Sequence, residues 1–258
     1  MKQDREQKLM TRLSIVQKLT LAEAMELLQS SESTVRRMFA KLEKDGFAIR
    51  THGGIQMVNN AMTLYSFEYG ARTNIEKKTA IAREAVKLLK DGDVVFCDSG
   101  TTIQCMCAQL IYRLEKEKLS IKLYTNSLAN LELLSSHMQV NLVGGAYRAN
   151  RKDFCGYLTE QALTGVFFTK CFVGADGCVN GTTFTTTDFE TARMNQIAMR
   201  NSEQTIMLVD SSKFSNACHV SYAPADSLSV IVTDSDVSGP TLERLKSTKA
   251  RLICAETT

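Results

Sequence analysis

Two groups of residues in the 258-residue chain have types and spacings suited to chemistry. The first is Ser33, Thr34, Arg36, Arg37 and Lys41, with Arg50 and His52 close behind. Arginine bonds bidentately to guanine or clamps phosphate, while hydroxyls and lysine reach DNA backbone oxygens. The second is a series of small polar segments: Asp98-Ser99-Gly100-Thr101-Thr102, Thr125-Asn126-Ser127, Gly144-Gly145, Gly174-Ala175-Asp176-Gly177 and Asp210-Ser211-Ser212-Lys213-Phe214, with Asp188 and Glu190 between the last two. Backbone N–H groups and hydroxyls at a helix start favour an anion. Lys213 suits a phosphate, and Asp98, Asp176 and Glu190 suit sugar hydroxyls. A Walker loop is excluded, because its flanking glycines and lysine are missing. On spacing alone, a plain capping turn explains Asp98–Thr102 as well as an anion site does.

The elements around the first group predict a DNA reader. Leu9, Leu13, Val16 and Leu19 recur at helical spacing, which predicts an amphipathic opening helix. Thr20 caps a second helix over residues 21–28, and Gln29-Ser30-Ser31-Glu32 reads as a short turn. A third helix runs to Glu43, burying Val35, Phe39 and Leu42 and leaving Arg36, Arg37 and Lys41 outside. Asp45-Gly46 stops it. Phe47-Ala48-Ile49-Arg50 and the glycine turn Thr51-His52-Gly53-Gly54 then outline a β-wing. A solvated helix face would explain the charges alone; the preceding helix, the turn and the wing favour DNA.

Residues 57–74 are polar and mixed and read as a linker helix or extended connection. From Ile75 onward, helical patterns alternate with strand patterns at Val94–Cys97, Lys122–Tyr124, Gln139–Val143, Cys171–Val173, Thr205–Val209, Val230–Thr233 and Arg251–Cys254. Such alternation predicts an α/β domain over residues 75–258 with a mainly parallel sheet, whose ligands bind at the carboxyl ends of strands. The polar turns follow those strands, so they are expected to converge on one pocket.

Charge supports the division. Residues 1–56 hold ten Lys and Arg against seven Asp and Glu, while residues 57–258 hold 21 of each. The chain's whole formal excess of +3 therefore lies in its first fifth, as a basic reader ahead of a neutral body would show. Apolar residues at 44% and charged residues at 23% fit a globular fold. No stretch is long and apolar enough for a membrane span, and no signal-peptide core opens the chain, so a cytoplasmic location is expected. Eight scattered cysteines fit neither a zinc site nor a redox pair; reduced, mostly buried thiols are expected, with no metal or cofactor.

Ser33-Thr34-Val35-Arg36-Arg37, Leu42-Glu43, Gly46 and Arg50-Thr51-His52-Gly53-Gly54 together resemble the winged helix-turn-helix of the DeoR family of bacterial sugar-catabolism regulators. Met38-Phe39 departs from the Asp-Leu usual there, removing an acid that would partner an arginine or the helix start. The resemblance continues through Asp98–Thr102, Thr125-Asn126, Gly144-Gly145, Gly174–Gly177, Glu190 and Asp210–Phe214 into the family's sensor domain. It implies a fold akin to ribose-5-phosphate isomerase and sugar-phosphate deaminases. It also implies repression of an operon until a phosphorylated sugar intermediate binds, and a dimer or higher homo-oligomer on double-stranded operator DNA.

The rival reading is a sugar-phosphate isomerase or deaminase with an accessory DNA module. Glu190 could serve as its base. Asn195, however, stands near where a lysine often follows that glutamate, and no histidine lies near the pocket turns; His137 and His219 read as surface or structural. A binding pocket without a catalytic set is expected, and so no enzyme. A third reading has the winged helix contact protein instead of DNA.

Overall fold

The computed structural model describes residues 2–44, 48–57 and 66–257. The chain divides into two units, Met1–Tyr65 and Ser66–Thr258. The sequence-based stop at Asp45-Gly46, Phe47 of the wing and residues 58–65 of the expected linker lie outside the described residues.

In the first unit, α1 (Lys2–Val16) buries Leu9 and Leu13. It ends because Gln17 takes a left-handed φ of 63°. Leu19 therefore does not continue the helical stripe, as its spacing suggested. It sits, buried, in a short strand, β1 (Lys18–Thr20). Thr20 then caps α2 (Leu21–Leu28) in a reciprocal box: Glu23 N donates to Thr20 Oγ1 at 3.2 Å, and Thr20 N donates to Glu23 Oε2 at 2.7 Å. After the turn comes α3 (Glu32–Lys44), whose Val35, Phe39 and Leu42 enter the core. The wing is β2 (Ala48–Thr51) and β3 (Gly54–Met57), turning at His52-Gly53, with β3 central between β1 and β2. A Cβ on Gly54 would lie 2.3 Å from the Leu19 carbonyl oxygen, so only glycine lets β1 close on the wing.

The second unit opens with α4 (Phe67–Arg72) and α5 (Ile75–Val86). The expected connection thus holds an ordered helix, and Met57 belongs to the wing. Seven parallel strands follow: β4 (Val94–Cys97), β5 (Lys122–Thr125), β6 (Val140–Leu142), β9 (Phe168–Gly174), β12 (Ser202–Leu208), β14 (Val230–Asp234) and β15 (Arg251–Ala255). Their order is β15-β14-β12-β9-β4-β5-β6. The intervening helices are α6 (Thr101–Lys116), α7 (Leu128–Leu134), α8 (Tyr157–Thr164), α9 (Phe189–Arg200) and α10 (Gly239–Lys246).

Because side chains alternate along a strand, the central strands feed two cores. Phe172, Ile206 and Leu208 meet α5 and α6 on one face. Cys171, Val173 and Met207 meet α9 on the other. Two small antiparallel pieces complete the unit: a hairpin of β7 (Ala146–Arg148) and β8 (Asp153–Cys155), and a sheet of β10 (Gly177–Val179), β11 (Thr183–Thr186) and β13 (Val220–Pro224). All eight cysteines are free, and five are buried. Among the described residues no helix is long and apolar enough to cross a membrane.

Candidate functional site

The exposed face of α3 carries Ser33, Arg36, Arg37 and Lys41, with Thr34 half-buried. Most of these cations are already held. Arg36 Nε lies 2.7 Å from Glu32 Oε1, Lys41 Nζ 2.6 Å from Glu6 Oε1, and Arg50 Nε 2.6 Å from Glu43 Oε2. Glu32, one turn back, thus supplies Arg36 with the acid that Met38 does not. Arg37 differs, because Nε donates only to its own helix at the Ser33 carbonyl, 3.4 Å away. It has no carboxylate partner among the described residues. Exposed pairs of this kind contribute little to stability, so a phosphate can displace their carboxylates. His52 is exposed at the tip of the wing.

In the second unit the chain runs outward from β4 through β5 to β6, and from β9 through β12 and β14 to β15 in the opposite direction. The order reverses between β4 and β9, and in open parallel sheets the crevice at such a reversal is the ligand site. Asp98–Thr102 leaves β4 there, and Gly174–Asp176 leaves β9. The two turns approach closely: Asp98 N donates to the Phe172 carbonyl at 3.0 Å, and a Cβ on Gly100 would lie 3.8 Å from Gly174 Cα. Gly100 is the N-cap of the 16-residue α6 and offers no side-chain acceptor to its first amides.

The predicted residues have the following partners. Asp98 is buried, and its carboxylate accepts from Gly174 N at 3.4 Å and Asn195 Nδ2 at 3.3 Å. Burial pushes its carboxyl up, and the neighbouring charge of Asp153 adds to this. Asp176 Oδ2 accepts from Thr186 Oγ1 at 2.9 Å and from the Thr187 amide at 3.2 Å. Glu190 is largely exposed in the first turn of α9 and accepts from Cys155 Sγ at 3.2 Å. Burial and that glutamate push the Cys155 thiol up to about 12. Lys213, in the short helical turn Ser211–Ser215, shares the surroundings of Cys218 with Asp176.

Three expected contact residues are instead supports. The Thr125 hydroxyl is fully buried and donates to the Cys97 carbonyl at 2.6 Å. Asn126, equally buried, donates to the Phe154 carbonyl at 3.1 Å and joins the sheet to β8. A Cβ on Gly145 would stand 2.1 Å from Thr159 Oγ1, so this glycine is required by packing. Gly144 alone of that pair meets no atom within 4 Å of an added Cβ, and its carbonyl accepts from Thr159 Oγ1.

Sequence reasoning missed the groups that tie the crevice together, all on the β7–β8 hairpin. Asp153 is fully buried; its oxygens accept from Arg148 Nε at 2.8 Å, Arg148 Nη2 at 2.7 Å and Ser99 Oγ at 2.9 Å. Arg148 also donates to Asp188 at 2.9 Å. Arg151, buried too, donates to Thr187 Oγ1 at 2.9 Å and to Asp176 Oδ2 at 3.3 Å. Asp188 caps α9 by accepting from Thr191 N at 2.8 Å. Burial raises its carboxyl, but the Thr191 amide and the two guanidiniums outweigh this and hold it low. Two arginines thus join both crevice turns to the head of α9. The visible signal was Arg148, Arg151 and Asp153 crowding one short polar segment behind Gly144-Gly145.

A helix-turn-helix with a wing, followed by a parallel α/β unit with a polar switch-point crevice, has the build of a ligand-responsive transcription regulator. The DeoR-like helix-turn-helix domain matches residues 5–61, and the DeoR C terminal sensor domain matches residues 73–235. The chain belongs to the DeoR family of transcriptional regulators. It is 32% identical over 246 residues to the lactose phosphotransferase system repressor of Lactococcus lactis subsp. lactis, covering 94% of each chain. The repressor of the same name from Staphylococcus epidermidis is 32% identical over 220 residues, 83% of this chain and 84% of the other. A ribose 5-phosphate isomerase A from Methanocaldococcus jannaschii aligns over 55% of each chain at 25% identity, with a TM-score of 0.42, a partial overlap that assigns no activity. The two curated relatives are named as repressors, which supports the regulator reading over the isomerase one.

Proposed function

We propose that the chain represses a carbohydrate-utilisation operon and leaves its operator when a phosphorylated sugar enters the β4/β9 crevice. Residues 1–65 act as the DNA reader and residues 66–258 as the sensor, a boundary that includes the whole wing in the first. Arg37 reads or clamps DNA from α3, with Arg36, Lys41, Ser33 and Thr34 on the same face and Arg50 and His52 on the wing. The phosphate sits on the open first turn of α6, at Ser99, Gly100, Thr101 and Thr102, with Lys213 as its cation. Asp98, Asp176 and Glu190 accept hydroxyls. Thr125, Asn126, Gly144 and Gly145 shape the pocket from behind.

The uncapped start of α6 at the strand reversal carries this reading. It combines free helix amides, buried hydroxyls and flanking carboxylates, which is the chemistry of a phosphorylated polyol. The names of the lactose-system repressors support the carbohydrate class. The protein is assigned to the cytoplasm and to a homo-oligomer, whose paired reading helices would match half-sites one helical turn apart. Footprinting on the protein's own promoter region, repeated with a panel of pentose and hexose phosphates, tests both halves. Protection that one sugar phosphate abolishes is expected; protection indifferent to every member contradicts the sensor assignment.

A further inference from the structure

We propose that α4 is the transmission element of the second unit, held at its start by the β7–β8 hairpin and at its end by the Asp210 turn. The inference extends the crevice reading above by naming the part that carries its state along the chain.

α4 is the first element of the sensor unit, so the chain reaches the DNA reader directly from its N-terminus, through residues 58–65. At that end, Phe67 N donates to the Asn150 carbonyl at 2.8 Å. Lys152 Nζ lies 2.5 Å from Glu68 Oε1 and 5.7 Å from the centre of the Phe67 ring. Asn150 and Lys152 belong to the turn whose other residues, Arg148, Arg151 and Asp153, bind the crevice. Ser99 to Asp153 is one hydrogen bond, and Lys152 to Glu68 is one ion pair, with a single peptide bond between them.

The other end is fixed separately. Lys78 Nζ donates to the Gly70 carbonyl, satisfying a last-turn acceptor of α4. The chain then turns at Asn74, whose left-handed φ of 53° is unusual for a residue with a side chain. Its Nδ2 donates to Asp210 Oδ1 at 3.0 Å and to Ser212 Oγ at 3.1 Å. Beside it, Lys77 Nζ donates to Ser211 Oγ at 2.7 Å. This is the turn that carries Lys213. Two segments from different parts of the crevice rim thus bracket a helix of six residues, and a shift in either is a shift in α4. Coupling needs such a contiguous element, and reciprocity requires that DNA binding be felt at the rim.

The test is amide hydrogen exchange with and without a promoter fragment, on wild type, on Asn74→Gly/Lys152→Glu, and on Glu68→Lys/Lys152→Glu. Glycine keeps the left-handed turn while removing both side-chain bonds, and the exchanged pair restores the charge attraction. In wild type, DNA should change exchange in residues 146–155 by about fivefold or more, the lower end of ordinary coupling. In the first variant the response should fall below about twofold on the same scale. In the exchanged pair it should return toward wild type. A hairpin indifferent to DNA in wild type, or an undiminished response in the first variant, overturns the role of α4. If the hairpin responds but no sugar phosphate releases the DNA, α4 keeps its role and the ligand class of the crevice fails.

Discussion

Arg36 and Arg37 are adjacent in sequence, and the structure separates them. Arg36 spends its guanidinium on Glu32, whereas Arg37 lies along its own helix with no acid partner among the described residues. Arg37→Ala should therefore weaken promoter binding by about tenfold or more, as expected when one charge-assisted contact is lost. A gel-shift titration at fixed salt checks this, and undiminished binding removes Arg37 from the interface. Lys78 makes a different prediction. It is buried, and burial lowers its pKa to about 8 in spite of the favourable charge of Asp210; Lys213 lowers it further and Cys105 acts weakly against this. A folded value below the unfolded one means that the unfolded chain binds more protons between them. Stability should thus rise as pH goes from about 8 toward the ordinary lysine value near 10.4. Lys78→Met should lack that rise, and parallel urea melts of both proteins measure it.

The cationic face of α3 was legible because cations spaced along one helix need no tertiary knowledge. The crevice was half legible. Its turns follow strands and were found, but a turn's backbone says nothing about which hydroxyls are spent internally. Thr125 is the example: its partner is the Cys97 carbonyl on the neighbouring strand, which only the sheet register reveals.

At the scale of elements, the long helices and central strands were readable from periodicity, since each buries an apolar face or run. β1 was not. Leu19 falls at a spacing that continues α1, and only the left-handed Gln17 and the pairing with β3 reassign it. The β7–β8 hairpin was missed for a related reason. Its strands have three residues each, and one of the groups they bury is Asp153, held between two arginines, which no apolar period marks. Removing one partner of such a buried cluster leaves uncompensated charge. Asp153→Ala should accordingly lower stability by about 3 kcal/mol or more, which denaturant titration measures; a loss under about 1 kcal/mol would mean that the hairpin stands without it. Thr20→Ala tests the first unit in the same assay, where loss of the capping box should cost about 1 kcal/mol.

The whole molecule joins a basic reader to a neutral sensor, and this division of charge was visible before any fold was known. It predicts steep salt dependence: each phosphate contact releases counterions, so promoter affinity should fall linearly with salt on logarithmic axes, and Lys41→Ala should flatten the slope by about one unit. A flat response in wild type would favour a protein partner for the wing. The reversal of strand order between β4 and β9 belongs to this scale too. No local pattern shows it, because it depends on which strands pair.

The central claim is that a phosphorylated sugar, held at the start of α6, releases the protein from DNA. Fluorescence anisotropy of a labelled promoter fragment, titrated in parallel with an effective sugar phosphate and its unphosphorylated sugar, tests it directly. Release by the phosphate form, with the free sugar weaker by about tenfold or more, is the predicted result. Equal response to both forms would contradict it.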